Sequence, residues 1–137
     1  MTLNTNKYET LLTVRPDDID MNNHVHSSKY MDYVLFARFD QMDRCYKMSM
    51  DEFLKSGFNW VLKSAQMEFK RSLLLGETCK IITWLKSMKG NSCKVCFQIL
   101  KGNGKESYTG HFIHTMINSQ TGRGENVPNW IIERYSQ

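Results

Sequence analysis

The distribution of hydrophobic and polar positions divides the chain into a helical first part and a second part made of strands. In residues 30–39, YMDYVLFARF, eight of ten positions are apolar. A surface helix carries a polar face, so this segment predicts a helix that is buried nearly all round. Residues 92–101, SCKVCFQILK, instead alternate apolar and polar positions, which is typical of a strand with one buried face.

The same patterns and their turn and capping signals predict the remaining elements. These are a strand over 8–15, a long helix capped by Ser27 or Ser28 and ending near Cys45 or Tyr46, a short helix over 49–57 with a Ser49–Glu52 capping box, strands over 58–71, 73–88, 92–101 and 106–122, and a helical turn over 128–135. A helix without a polar face needs cover on several sides, and a curved antiparallel sheet wrapped around it provides that cover. We therefore predict an α+β fold in one domain, residues 1–137.

Composition narrows the class of protein. The 137 residues are 41% hydrophobic and 23% charged, which is ordinary for a globular protein. No apolar run approaches the roughly 20 residues of a membrane span, and the first ten residues lack the apolar core of a signal peptide, so we expect a cytoplasmic protein with no membrane association. The net charge of +4 suits a partner with phosphates or acidic groups, such as a nucleotide-tailed cofactor, a carrier protein or nucleic acid.

The cysteine pattern bears on metal and redox chemistry. Cys93 and Cys96 form a C-x-x-C, but strand residues three apart point to opposite faces. No second C-x-x-C or His-x-His pair follows it, so we expect free thiols and no metal or redox cofactor. His111 and His114, at odd spacing on the last strand, are interpreted as packing or surface residues.

The polar run DDIDMNNHVHSSKY, residues 17–30, stands directly before the long helix and is either a capped loop or an assembled site. The start of a helix presents unpaired backbone N–H groups and a positive end, which favour a nearby carboxylate. Because the ordinary pKa of an aspartate is about 3.9, Asp20 is ionised at neutral pH and can act as a nucleophile or as a general base. Asp18 is interpreted as a structural acid on an extended segment.

Residues 15–38, RPDDIDMNNHVHSSKYMDYVLFAR, resemble the N-terminal signature of hot-dog-fold thioesterases of the 4-hydroxybenzoyl-CoA thioesterase type. The matching positions are the acid pair Asp18 and Asp20, the pair His24 and Val25, the helix residue Tyr30, and the pair Ala37 and Arg38. The chain is also similar to plant-type acyl-carrier-protein thioesterases, through an Asp-x-Asn-x-His motif and the strand segment QMEFKR, residues 66–71.

The chain departs from these families at five positions. Asn23 stands where the family has a small glycine before the histidine, and His26 and Ser27 stand for an Asn-Asn pair. Leu35 replaces an acid often seen shortly before the Ala-Arg pair. Ser72 replaces a glutamate that the plant-type branch carries just after its strand segment.

The resemblance implies a cofactor-free hydrolase that cleaves a thioester of coenzyme A or of acyl carrier protein. It implies that Asp20 is the nucleophile or general base, and that the backbone amide of Ser27 polarises the thioester carbonyl. Asn22 would orient the carboxylate or bind water. His24 would hydrogen-bond the acyl carbonyl or brace the loop.

Four further residues are predicted to bind substrate. His26 is expected at the lip of the acyl pocket and Tyr30 on the helix beside it. Lys86 and Lys89 surround a turn that resembles the family's basic turn, and we expect them to meet the phosphates of the thiol carrier.

A single curved sheet leaves strand edges uncovered, so a homodimer or homotetramer is expected, with the strand over 58–71 facing Asp20 of the partner. Two other functions stay open: a hot-dog dehydratase or hydratase, and a non-catalytic acyl-thioester-binding protein. No single-strand-binding motif accompanies the scattered aromatic residues, so no nucleic-acid partner is expected.

Overall fold

The computed structural model describes residues 2–137. The helices are α1 (Lys29–Arg44), α2 (Met50–Lys55) and α3 (Asn129–Arg134), with a 3-10 turn at Pro16–Asp18. The strands are β1 (Tyr8–Thr13), β2 (Phe58–Phe69), β3 (Thr78–Lys89), β4 (Ser92–Leu100) and β5 (Glu106–Asn118). Every predicted helix and strand is present, and the α+β class is confirmed.

All five strands form one antiparallel sheet in the order β1-β3-β4-β5-β2. The strands β3, β4 and β5 follow one another as a meander, as their hairpin turns predict. β2 comes earlier in the chain but lies beyond β5, at the edge of the sheet. Within residues 2–137 its outer side pairs with no other strand, and most of its twelve residues are exposed.

The predicted start of the second long strand is wrong by five residues. Residues 73–77 form a loop, and β3 begins only at Thr78. Gly76 adopts a φ of +79°, a left-handed conformation that a strand does not contain. The Glu77 carboxylate accepts a hydrogen bond from the Leu74 amide at 2.7 Å and closes this turn.

The central helix α1 covers the sheet with one side only. Tyr30, Val34 and Ala37 are buried against β3, β4 and β5 in a core that includes Ile81, Phe97, Tyr108 and Phe112. Phe36 and Phe39, in contrast, are each 51% exposed. The prediction of a helix buried nearly all round is therefore wrong for a single chain, because the sheet reaches only one side of the helix.

The capping predictions have different outcomes. The Ser49 hydroxyl accepts a hydrogen bond from the Glu52 amide at 3.1 Å and caps α2, which is one half of the predicted capping box. The other half is not formed in the described residues, where the Glu52 carboxylate accepts from Arg134 instead. Gly57 then ends the short helix with a φ of +86°. Ser28 occupies the cap position of α1, but its side chain makes no capping hydrogen bond, because its backbone is already helical at φ −67° and ψ −19°. The predicted serine cap of α1 is therefore wrong.

The second core lies around the C-terminal half of α1. Phe53 of α2, Leu85 of β3 and Ile131 of α3 are fully buried there, with Met48 and Met116. The β4 residues Cys93, Val95, Phe97 and Ile99 are all buried, whereas Cys96 is on the other face, as the alternation predicts. No helix among the described residues is long and apolar enough to cross a membrane.

Candidate active site

The polar run folds into a tight turn closed around the carboxylate of Asp20. Oδ1 of Asp20 accepts hydrogen bonds from the backbone amides of Asn22 at 2.9 Å and His24 at 3.1 Å. The Asp20 amide donates to the carbonyl of His24 at 2.8 Å. The turn thus fixes the position of the carboxylate through backbone groups and leaves Oδ2 without a hydrogen-bond partner in residues 2–137.

The turn depends on a left-handed residue. Asn23 has a φ of +62°, a conformation that asparagine tolerates better than most side chains. This position is the one at which the resembling family carries glycine, so the structure explains why asparagine can stand there. The departure of Asn23 from the family pattern therefore leaves the shape of the turn intact.

The same backbone groups set the ionisation of Asp20. The amide of His24 is the main cause that holds the pKa of the Asp20 carboxyl below its ordinary value; slight burial opposes it, and the amide of Asn22 adds to it. Asp20 is consequently an anion throughout the neutral range. This agrees with the charge state that either a nucleophile or a general base needs.

Backbone pairing fastens this turn to the loop that follows β2. His24 pairs with Leu74 of that loop in an isolated antiparallel bridge, and a second bridge, between Ile19 and Val25, closes the turn on itself. The Val25 amide donates to the Leu73 carbonyl at 3.0 Å. The hydroxyl of Tyr30, on the first turn of α1, accepts from the Leu73 amide at 3.0 Å.

A cavity of about 350 Å³ opens between these segments. Five predicted site residues line it: Asp20, His24, His26, Ser27 and Tyr30. The other lining residues are Val25, Phe69, Lys70, Arg71 and Ser72. The structure thus brings most of the polar run together with the end of β2 and the residues after it in the same chain. The sequence predicted that the strand over 58–71 faces Asp20 of the partner, and that arrangement between subunits stays a prediction.

The amide of Ser27 is available as a hydrogen-bond donor. The neighbouring amides of His26 and Lys29 donate to the carbonyls of Asp18 and His26, both at 2.9 Å. The Ser27 amide has no acceptor within residues 2–137. A carbonyl oxygen that enters the cavity can therefore accept from this amide without breaking a bond in the protein.

Three predicted site residues do not line this cavity. Asn22 contributes its backbone amide to Asp20, while its exposed side chain lies outside the wall. Lys86 sits at a register shift of β3, and Lys89 pairs with Ser92 at the end of the strand. Ser92 pairs with Thr115 of β5, and Thr115 pairs with Val61 of β2. Val61 is eight residues along β2 from Phe69, which lines the cavity. In one chain the two lysines are therefore at the opposite end of the sheet from Asp20.

Asp18 is a buried carboxylate bonded within the protein, which agrees with the prediction of a structural acid. The predicted extended conformation of its segment is wrong. It ends the 3-10 turn Pro16–Asp18 and does not lie on an extended segment, because Pro16 starts a turn that the Ile19 amide closes. Oδ2 of Asp18 accepts from the Tyr33 hydroxyl at 2.6 Å, and the residue is buried. Burial and this hydrogen bond raise the pKa of the Tyr33 hydroxyl.

The basic residues of the cavity are Lys70 and Arg71. Lys70 lies 3.4 Å from Glu106, and the Arg71 guanidinium donates to the Glu106 carbonyl at 3.1 Å without a carboxylate partner in the described residues. The signal that could have identified them is their place at the end of the strand segment QMEFKR. Residues 2–137 contain no group of three or more His, Cys, Asp or Glu side chains placed to hold a metal ion.

Comparison with known structures identifies the architecture. A DHNA-CoA thioesterase from Staphylococcus aureus superposes with a TM-score of 0.86 at 20% identity, covering 94% of this chain and 88% of that one. A hypothetical protein from Staphylococcus aureus in complex with CoA gives 0.82 at 16% identity, over 98% and 84%. A 1,4-dihydroxy-2-naphthoyl-CoA thioesterase from Synechocystis gives 0.85 at 12% identity, over 95% and 96%. The fold is the hot-dog fold of thioesterases, as predicted.

The family follows from a match of residues 14–135 to the thioesterase-like superfamily. The chain belongs to this superfamily. Direct comparison with curated protein sequences gives no match. The prediction of an enzyme of the thioester hydrolase class is confirmed at this level, whereas the finer likeness to the 4-hydroxybenzoyl-CoA and plant-type branches stays a prediction.

Proposed function

We propose that the protein hydrolyses an acyl thioester of coenzyme A or of acyl carrier protein in the cavity at Asp20. One observation carries the proposal: a carboxylate held in place by two backbone amides shares a cavity with Ser27, whose amide has no acceptor in the described residues. Thioester cleavage needs these two parts, a group that attacks or activates water and a donor for the developing oxyanion.

In the proposed reaction the thioester carbonyl oxygen accepts from the Ser27 amide. Asp20 then acts in one of two ways. As a general base it takes a proton from water, which attacks the carbonyl carbon and expels the thiolate. As a nucleophile it attacks the carbon itself and forms a mixed anhydride that water opens. In both cases the carbon–sulfur bond breaks, the acid retains the acyl carbon, and the thiolate takes up a proton.

The other residues of the turn orient these groups. Asn22 contributes through its amide to the carboxylate, and its side chain is free to bind water at the mouth. His24 both braces the loop, through its pairing with Leu74, and lines the cavity, where its ring can meet the acyl carbonyl. His26 and Tyr30 line the wall on which the acyl group would lie.

The thiol carrier would be held by positive charge. Lys70 and Arg71 stand at the cavity of the same chain and suit the phosphates of coenzyme A or of a phosphopantetheine arm. Lys86 and Lys89 can contribute only from a partner subunit, because in their own chain they are at the other end of the sheet.

A homodimer, alone or within a homotetramer, supports this arrangement. The outer side of β2 has no strand partner in residues 2–137, and Phe36 and Phe39 of α1 are half exposed. Long free edges and apolar patches are surfaces that proteins tend to pair away. Sedimentation should find no stable monomer with full activity.

The test is turnover of a panel of acyl-CoA and acyl-carrier-protein thioesters, followed with a thiol reagent. We expect release of free thiol with at least one acyl group, equally fast in the presence of a chelator. Binding without release would favour an acyl-thioester-binding protein. Interconversion of enoyl- and 3-hydroxyacyl-CoA without thiol release would favour a dehydratase or hydratase.

A further inference from the structure

A second cavity, of about 530 Å³, lies at the other half of α1 and has a different character. Its wall is mainly apolar and comes from α1, α2, the strands β2 to β5 and Tyr135 near the end of the chain. The apolar residues include Phe39, Met42, Leu54, Trp60, Leu62 and Val95. This volume falls within the roughly 300–1,000 Å³ of small-molecule pockets. We call this space the Arg38 cavity, after the charged side chain on its wall.

Arg38 is buried without a carboxylate partner. It is only 8% exposed, and no Asp or Glu oxygen of the described residues lies within 4 Å of its guanidinium. Its one hydrogen bond within residues 2–137 is a long one, to the Thr83 hydroxyl at 3.4 Å, and it lies 5.6 Å from the ring of Tyr46. A buried charge of this kind is unfavourable unless a counter-charge accompanies it.

The sequence around Arg38 explains the missing partner. One turn earlier on α1 the residue is Leu35, and one turn later it is Met42, so neither neighbour on the helix face can neutralise the charge. Both side chains line the same cavity. The guanidinium is therefore the only positive charge on an apolar wall that, among the described residues, contains no carboxylate.

Three further polar side chains lie on this wall, and one of them, Asn59, accepts a hydrogen bond from the Trp60 amide at 2.9 Å. Burial, and then the charge of Arg38, lower the pKa of His114 to about 4, so its ring is neutral at physiological pH and does not compete for an anion. Tyr135 is buried, and its hydroxyl has no hydrogen-bond partner in the described residues. The cavity thus combines one strong anion receptor with neutral groups that can add hydrogen bonds.

We propose that the Arg38 cavity binds a carboxylate attached to an apolar chain or ring, with the carboxylate on Arg38 and the apolar body against Phe39, Trp60 and Leu62. Two sources have this chemistry. One is the far end of the acyl group of a thioester substrate, and the other is a free carboxylic acid, such as the product of hydrolysis.

Binding of the far end of an acyl group rests on the proposed function and on pairing of β2 with the β2 of a second subunit. Within one chain Phe69, at the Asp20 cavity, and Trp60, at the Arg38 cavity, are nine residues apart on β2, about 30 Å at roughly 3.3 Å per residue. Antiparallel pairing about a two-fold axis brings the Phe69 end of one β2 beside the Trp60 end of the other. An acyl group cleaved at Asp20 would then extend into the Arg38 cavity of the partner.

The binding experiment uses octanoate and 1-octanol, which share an apolar chain and differ in the charge. Calorimetry on the full chain should show octanoate binding about tenfold or more tightly than octanol, since a charge-assisted pair is worth that much when it is desolvated. Arg38→Met should remove the difference. Arg44→Met is the matched control, because it removes the same charge from the same helix at a residue already paired with Asp40.

The kinetic experiment compares octanoyl-CoA with suberoyl-CoA, its counterpart with a carboxylate at the far end. A higher kcat/KM for suberoyl-CoA that Arg38→Met abolishes would assign the cavity to the acyl group. Equal kcat/KM values, with Arg38-dependent inhibition by octanoate, would assign it to the free acid. Turnover that does not depend on Arg38 would overturn the inference about the Arg38 cavity and leave the proposed function standing. Arg38-dependent binding of octanoate without turnover of any thioester would contradict the proposed function and leave the inference standing.

The test does not depend on whether Arg38→Met folds. Wild-type protein alone gives the octanoate and octanol comparison, and octanoate but not octanol should raise its Tm. Arg38→Met should itself be at least as stable as wild type, because it removes an unpaired buried charge. If Arg38→Met instead dissociates the assembly and wild type shows no preference for octanoate, the counter-charge comes from a second copy of the chain and the inference is wrong.

Discussion

The Asp20 cavity and the Arg38 cavity lie at opposite halves of α1, and each lowers the pKa of a group on its wall. At Asp20 the cause is hydrogen bonding by backbone amides to an accessible carboxylate, which keeps the charge in place. At His114 the cause is burial beside a cation, which removes the charge and leaves the pKa at about 4. The first environment preserves an anion in contact with water, and the second excludes every charge except that of Arg38.

The two cavities therefore suit different tasks: the Asp20 cavity suits bond cleavage, and the Arg38 cavity suits the selection of the ligand. A polar cavity with a fixed, accessible carboxylate and an unused amide suits bond cleavage. An apolar cavity with one buried cation suits the recognition of a ligand that carries the opposite charge. Changes in the first cavity should therefore act on kcat for every substrate, and changes in the second should act on the ranking of substrates.

Apart from Asp20 itself, the largest effect on the first cavity is expected from the Ser27 amide. Ser27→Pro removes the N–H while leaving Asp20 in place, and loss of one oxyanion donor typically lowers kcat by about 10²–10³-fold. Ser27→Ala keeps the amide and should retain kcat. Steady-state kinetics on both variants, with folding checked by circular dichroism, provide the measurement. A folded Ser27→Pro enzyme with the kcat of Ser27→Ala would remove the amide from the mechanism.

The next effect concerns stability in the Arg38 cavity. The pKa of His114 is about 4 in the folded protein and 6.5 for an ordinary histidine, so the unfolded chain binds the proton first as the pH falls. Between pH 6.5 and 4 this group should remove about 3 kcal/mol of stability, at roughly 1.4 kcal/mol per pH unit. The loss should be absent from His114→Gln. Denaturant unfolding across this pH range checks it, and parallel pH profiles for the two proteins would contradict it.

The smallest expected effect concerns the basic residues at the two ends of the sheet. Exposed ion pairs contribute about 0.2–1 kcal/mol, so Arg71→Glu should raise KM for acyl-CoA up to about fivefold at low salt, with little change in kcat. Lys89→Glu should raise KM only in an assembly that brings the turn between β3 and β4 of one subunit to the Asp20 cavity of another. High salt should reduce both effects. An unchanged KM for Arg71→Glu at low salt would exclude this residue from carrier binding.

The contrast between the two cavities also explains which parts of the site could be predicted from the sequence. Asp20, His24 and Ser27 could be predicted to lie together because this part of the first cavity comes from one short segment, residues 20–30, with a recognisable motif. The alternation of β4 and the Gly57 stop likewise depend on local rules that the fold obeys. The predicted Ser28 cap failed because its backbone is already helical there.

The Arg38 cavity could not be predicted in this way. Three of its polar residues, Arg38, His114 and Tyr135, come from α1, β5 and the end of the chain, and only the folded sheet brings them together. His114 was interpreted as a packing or surface residue; it is partly buried and lines this cavity. The replacement of the family's acid by Leu35 was visible, but its consequence, a buried arginine without a counter-charge, depends on burial that no local pattern shows.

The central claim is that the Asp20 carboxylate performs the cleavage, and the most direct measurement compares kcat of Asp20→Asn with that of Asp18→Asn on the best acyl thioester. Asparagine keeps the size of the side chain but is neither a base nor a nucleophile. Asp20→Asn should lower kcat by about 10²–10⁴-fold, the usual contribution of a positioned proton-transfer group, with little change in KM. Asp18→Asn, at a carboxylate engaged by Tyr33, should keep most activity. A folded, oligomeric Asp20→Asn protein within about threefold of wild type, or an inactive but folded Asp18→Asn protein, would contradict the account.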